Sequence, residues 1–392
     1  MASIYHQLGF RYNWSLDSIE SDHTGEGIIC APRYMTRSRV QSIKADLRSR
    51  SIFDPQFYLP HSSRGGLATY PFFPQVVAGG FTTADWSHDM ALECADACIK
   101  FQDDYGFSAI TVPTRFREGM PSEFIGEQEE LFITPFLEIA SRRHITRPLF
   151  LQLIVTDFMI RDNLYRTQLL NWITSFTELK GIYLIYHVHN RQKQLSDTEF
   201  LLDLMGFIRD IKLANLNVIV GYTNTEGILL TCAGVDGITM GIYENLRMFS
   251  PDAFREPDET RRYAPNVRLY IPRLMQWVEY QYLGAIRRVV SNINEYIEDN
   301  HYRVSMFQPE YNWHFAKPEP YKHFFIAYSN QLRRLLDVPE ADRCAVVLEE
   351  CHSALDEHQH LKNSGVVFDQ ESSGFHLTSW ISILNIWMRD IR

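Results

Sequence analysis

The stretch Leu216-Asn-Val-Ile-Val-Gly-Tyr-Thr-Asn224, a short bridge, and then Gly234-Val-Asp-Gly-Ile-Thr-Met-Gly-Ile-Tyr-Glu-Asn245 decides the fold. Two apolar runs each break into polar residues at their C-terminal end. The bridge is long enough for one short helix. That is the pattern of a β-α-β unit from a parallel sheet, whose strands are joined by crossovers rather than by tight turns.

The same rhythm repeats along the chain. Predicted strands are Gly27–Ala31, Gln56–Leu59, Ser108–Val112, Leu149–Val155, Ile182–Tyr186, the two runs just quoted, and Val267–Ile271. Helical patterns separate them, such as Val40, Ile43 and Leu47 after the first strand, and Phe200, Leu201, Leu204 and Ile208 after the fifth. Leu149-Phe-Leu-Gln-Leu-Ile-Val155 is nearly continuous in apolar residues, which fits a sheet covered on both faces. Eight such units predict a (β/α)8 TIM-type barrel with an inserted loop after the second strand and a C-terminal helical extension. An open doubly wound sheet is the alternative, but no Gly-x-Gly-x-x-Gly or Walker-type Gly-Lys-Ser/Thr supports its nucleotide-binding forms. The expected organisation is an N-terminal arm over 1–26, the barrel over 27–290, and the extension over 291–392 packed on it. Pro135 is expected to interrupt or kink the helix in which it lies.

Composition narrows the function classes. The chain has 392 residues, 45% of them hydrophobic, enough for a large core and too many for a disordered protein. Net charge is -10, which argues against non-specific binding to duplex DNA. Six cysteines without a Cys-x-x-Cys pair are expected to be reduced and buried, which suits a cytoplasmic protein. The first residues lack the basic start and apolar run of a signal peptide, and no run approaches a membrane span.

In a barrel of this kind chemistry gathers at the C-terminal ends of the strands. Those ends carry Arg33, His61 with Arg64, Arg115, Asp157, His187 with His189, Asn224, Tyr243 with Glu244, and Arg273. The arginines present planar forks that suit phosphate or carboxylate, and with His61, Asn224 and Tyr243 they form the expected substrate-binding set. The alternative use of each arginine is an ion pair within the fold. His187 and His189 lie two apart on an extended run and share a side. With Asp157 and Glu244 they are the expected acid–base set. The same groups can hold a divalent metal, the less favoured use. Asp157 has an ordinary alternative, capping the helix after it.

Gly237-Ile-Thr-Met-Gly-Ile-Tyr-Glu244 is similar to a strand-and-turn segment of the tRNA-guanine transglycosylases, which are barrels. The similarity covers those eight residues. Their Asp-Ser-Gly-Gly motif would fall on His61-Ser-Ser-Arg-Gly-Gly66, which has no Asp, and their zinc-binding cysteines have no counterpart. No role is carried over.

The leading expectation is an enzyme acting by acid–base chemistry on an anionic small molecule, phosphorylated or nucleotide-like. A catalytically silent scaffold in a homo- or hetero-oligomer, assembled through the apolar C-terminal helices, is the second. Handling of a nucleobase or single-stranded nucleic acid is the third.

Overall fold

A strand covered on both faces must be apolar at almost every position, and Leu149–Thr156 is buried along its whole length. It belongs to one parallel sheet of eight strands: β1 (Ser3–Gln7), β2 (Gly27–Cys30), β3 (Ile52–Phe53), β4 (Ile110–Val112), β5 (Leu149–Thr156), β6 (Leu179–His187), β7 (Asn217–Val220) and β8 (Gly237–Gly241). The computed structural model describes residues 2–63, 65–73, 80–83, 86–189, 191–255 and 266–390. The strand order is β3-β2-β1-β8-β7-β6-β5-β4. First and last strands lie side by side, in register from Ser3 opposite Gly237 to Gln7 opposite Gly241. The sheet is thus a nearly closed (β/α)8 barrel with its seam between β3 and β4.

The seam is stitched rather than laddered. Ser108 N donates to Ser51 O at 2.9 Å below it, and Phe116 N donates to Tyr58 O at 2.8 Å above. Between them Thr111 of β4 turns its N–H and C=O away from β5. Gln102, on the helix α2 (His88–Asp104), fills that gap. Its Oε1 accepts from Thr111 N at 2.7 Å and its Nε2 donates to Thr111 O at 3.1 Å.

Eight strands were expected, but their membership differs. Residues 1–26 are no arm: they supply β1, at the centre of the strand order, and the helix α1 (Tyr12–Ser21). Ser-Ile-Tyr-His-Gln reads as polar because its neighbours in the barrel lumen are polar. The second expected strand, Gln56–Leu59, cannot extend, since Gln56 takes a positive φ of 59°. The strand there is the shorter β3, just before it. Val267–Ile271 is not in the barrel, because β1 already fills the place beside β8. Instead β9 (Arg268–Ile271) pairs antiparallel with β10 (Gln276–Glu279) as a separate hairpin.

The outer helices also cross the expected boundary at 290. α3 (Thr134–Arg142) follows a π-helical turn, Glu129–Ile133. The helical path therefore widens just before Pro135, which has no N–H to give, and runs on through it. After α4 (Asn163–Thr174) and α5 (Thr198–Leu213) comes α6 (Gly227–Leu230), a single turn. One turn cannot cover β7 and β8. The C-terminal helices α7 (Glu319–Asp337), α8 (Glu340–Asn363) and α9 (Phe375–Asp390) do so. Phe325 of α7 lies 4.2 Å from His6 of β1, ring to ring, and Tyr328 donates to Asn224 O at 2.9 Å. Arg343 of α8 donates to Thr231 O, and Trp380 of α9 donates to Leu195 O, both at 2.8 Å. Barrel and extension share one continuous apolar cluster. All six cysteines are buried and free, and no helix among the described residues is long and apolar enough to cross a membrane.

Candidate active site

β5 and β6 end side by side, with Thr156 opposite His187. The Thr156 hydroxyl accepts from Met159 N at 3.3 Å and so caps the short helix Asp157–Arg161. With the cap supplied, the Asp157 carboxylate is free to turn toward the mouth. Its Oδ1 meets His189 Nδ1 at 2.6 Å. The other ring nitrogen, Nε2, meets Glu118 Oε2 at 2.6 Å. Glu118 stands on the loop after β4, and Thr156 Oγ1 donates to its backbone carbonyl at 2.9 Å.

His187 lies beside this clamp, its ring 4.8 Å from that of His189. Its Nδ1 faces the carbonyl oxygen of Phe249 at 3.2 Å, which makes that nitrogen the N–H donor. Nε2 then carries the lone pair and makes no hydrogen bond among the described residues. The two rings are driven apart in pKa. Burial lowers that of His187, more than the Phe249 carbonyl restores. Partial burial also works against charge on His189, but the hydrogen bonds of Asp157 and Glu118 outweigh it and raise the pKa. Asp157, His187 and His189 thus come together as expected, and Glu118 takes the place expected for Glu244.

Glu244 is instead half-buried across the mouth, at the end of β8. It faces Lys193 Nζ at 3.9 Å, which also reaches Glu371 at 3.4 Å. Tyr243 packs among Phe10, Trp14 and Tyr321. Asn224 is buried and committed: Nδ2 donates to Lys193 O at 2.8 Å and Oδ1 accepts from Trp277 Nε1 at 3.0 Å.

The arginines separate. Arg33 remains at the mouth, its guanidinium 4.9 Å from the rings of both Phe254 and Tyr34. Arg115 is buried and pairs with Glu127 at 2.8 Å while donating to Thr83. Arg273 belongs to the hairpin, where it binds Glu357 and lies 3.6 Å from Glu295. It is therefore not at a barrel mouth. Arg64 lies outside the described residues. His61 is exposed on a small antiparallel pair, His61–Ser63 with Gly80–Thr82, beside the barrel.

Below the mouth lies a polar centre that strand-end reading missed. Asp54, at the end of β3, is fully buried. It accepts a hydrogen bond from the Tyr58 hydroxyl and another from Gln56 N at 3.1 Å, with the Tyr183 hydroxyl close by. Burial, against these bonds, pushes its pKa up to about 7. Gln7 Oε1 accepts from Tyr183 at 3.2 Å, while Gln7 Nε2 and Gln152 Nε2 find no partner among the described residues. Phe249 and Phe254 roof this centre, with rings 5.0 and 4.8 Å from Tyr58. Phe249 therefore links the two levels: its ring covers the tyrosines and its carbonyl orients His187.

One donor atom from each of Glu118, His187 and His189 lies within 4.8 Å of the other two, so these three can hold a divalent cation. No family model and no curated protein matches the chain. Among solved structures it is similar to a crystal structure of dihydrodipicolinate synthase from Oceanobacillus iheyensis. The identity is 11%, over 98% of this chain and 96% of that one, with a TM-score of 0.33. A likeness at that score carries no argument about site or substrate.

Proposed function

We propose that the protein is a barrel enzyme whose histidine pair moves protons on a small anionic molecule. The supporting observation is that the pKa values of two adjacent rings are driven in opposite directions. Such divergence is what separates a base from an acid at one pH. His187 is the base, through its free Nε2. His189, whose charged form Asp157 and Glu118 favour, is the proton reservoir. The mostly exposed Glu118 side chain is the group an entering substrate displaces. Arg33, over the rings of Tyr34 and Phe254, is the residue assigned to the substrate's anionic group.

The test is deuterium incorporation into a panel of small phosphorylated and carboxylated carbonyl compounds in D2O, followed by proton NMR. Wild-type protein treated with a chelator should exchange at least one compound, and His187→Gln should not. Equal exchange by the variant, or none across the panel, sinks the reading.

A metal-dependent form of the same centre has its own support. Both Nδ1 atoms are engaged, one by a carbonyl and one by a carboxylate, the outer contacts that orient metal-ligating histidines. A cation on Glu118, His187 and His189 would polarise a substrate oxygen and acidify water. Calorimetric titration with Zn2+ or Mn2+ separates the two forms. Binding that disappears in His187→Ala, with exchange only in loaded protein, favours the metal. Exchange that survives the chelator excludes a requirement for it.

A further inference from the structure

The chain treats its buried arginines consistently, with one exception. Arg115 pairs with Glu127, and Arg191 pairs with the fully buried Glu226. Arg343 spends Nε, Nη1 and Nη2 on the carbonyls of Leu335, Thr231 and Val338. Arg247 is 9% exposed and forms no ion pair among the described residues. Its Nη1 reaches Ile242 O at 3.2 Å and Gly241 O at 3.5 Å, and its hydrogen bonds among the described residues end there.

The unused edge is the informative one. Arg117, Arg143 and Arg273 each present Nε and Nη2 side by side to a carboxylate, on Glu127, Asp96 and Glu357. In Arg247 that same edge has no partner among the described residues: Nε is enclosed, whereas Nη2 keeps some solvent exposure. The guanidinium is already immobilised: its carbon lies 3.9 Å from the centre of the Trp277 ring and 5.5 Å from that of Phe324. Burial lowers its pKa to about 10, which leaves it charged. A desolvated cation without a counter-charge is costly, and a held, unfilled fork is the geometry that takes an oxyanion.

The surroundings describe the rest of the ligand. Tyr321, the neighbour of Arg247, lies 5.0 Å from Tyr243 and 5.8 Å from Trp14, ring to ring. Phe10, 59% exposed, continues this wall, with Arg11 over it at 5.0 Å. Glu244, whose charge acts on Arg247, faces Lys193 at 3.9 Å.

We propose that the Nε–Nη2 edge of Arg247 binds the phosphoryl or carboxylate group of a small molecule whose flat apolar body lies against Tyr243 and Trp14. The site sits at the end of β8 and does not depend on the activity proposed for the histidine pair.

The probes are phenyl phosphate, benzoate, inorganic phosphate and phenol, titrated calorimetrically into the full chain. Phenyl phosphate or benzoate should bind more tightly than inorganic phosphate, and phenol should not bind. Arg247→Met should weaken the tighter probe by about tenfold or more, and Tyr243→Ala should weaken it less. If Arg247→Met does not fold, Arg247→Lys keeps the charge and loses the fork, and it too should bind less tightly. Absence of binding by every anion to wild type, or equal affinity in the folded arginine variant, overturns the proposal.

Discussion

Asp54 and His189 both have raised pKa values, for opposite reasons. Around Asp54 burial disfavours the charged carboxylate, so the neutral form persists to about pH 7. Between the ordinary carboxyl value of 3.8 and about 7, the folded chain holds a proton that the unfolded chain has released. Stability therefore falls as pH rises through that window. Asp54→Asn should remove this slope and gain roughly 1–3 kcal/mol at pH 8, measured by urea denaturation across pH. An unchanged slope would mean that the carboxyl is charged and otherwise compensated. His189 gains charge from Asp157 and Glu118 against partial burial, so its contribution is present below pH 6.5 and lost as pH rises through its higher folded value. NMR titration should give a midpoint above the ordinary one for His189 and below it for His187, and Asp157→Asn should move His189 downward. The histidine pair was legible because alternate residues of a strand end must share a side. Glu118 was not, since a loop has no period to read. Nor was Arg247, because what distinguishes it is the partner it lacks, and that exists only in three dimensions.

The strands show where periodicity stops being informative. β5 and β6 are long, apolar and easily read. β3 is two residues long and β1 is polar, because a lumen containing Gln7, Asp54 and Tyr183 rewards polar side chains where a dry one would reject them. The seam between β3 and β4 has no sequence signature. It depends on Gln102, which supplies from a helix the donor and acceptor that a neighbouring strand would offer. Gln102→Met keeps the volume and removes both bonds. Two buried backbone groups of Thr111 then go unpaired, at about 1–3 kcal/mol each. The variant should lose roughly 2–5 kcal/mol in chemical denaturation and show faster amide exchange in β4 than in β6. A loss under about 0.5 kcal/mol would mean that β3 closes on β4 directly.

The whole molecule follows from one short element. Because α6 is a single turn, the outer face of β7 and β8 is left to α7, α8 and α9. The last helix is apolar on more than one face, which from sequence suggested docking against the body or a partner chain. Trp380, Ile383, Leu384 and Trp387 are instead buried within this chain, and Trp387 Nε1 donates to Cys232 O at 3.3 Å. Much of the apolar surface of this helix is thus buried within the chain. The expected division at 290 is also not a division of the core, since one cluster runs from Ile4 to Trp387. A barrel cut from its extension would expose that cluster and leave α6 uncovered. Trp380→Ala should cost about 3–5 kcal/mol, as full truncation of a buried aromatic does. Fluorescence and circular dichroism should still report coincident unfolding transitions, because barrel and extension share their core. A chain ended at residue 374, before α9, should lose cooperative unfolding rather than release a stable barrel. A sharp transition in that shortened chain would mean that the barrel is self-sufficient, and the apolar face of α9 would again need an explanation outside this fold.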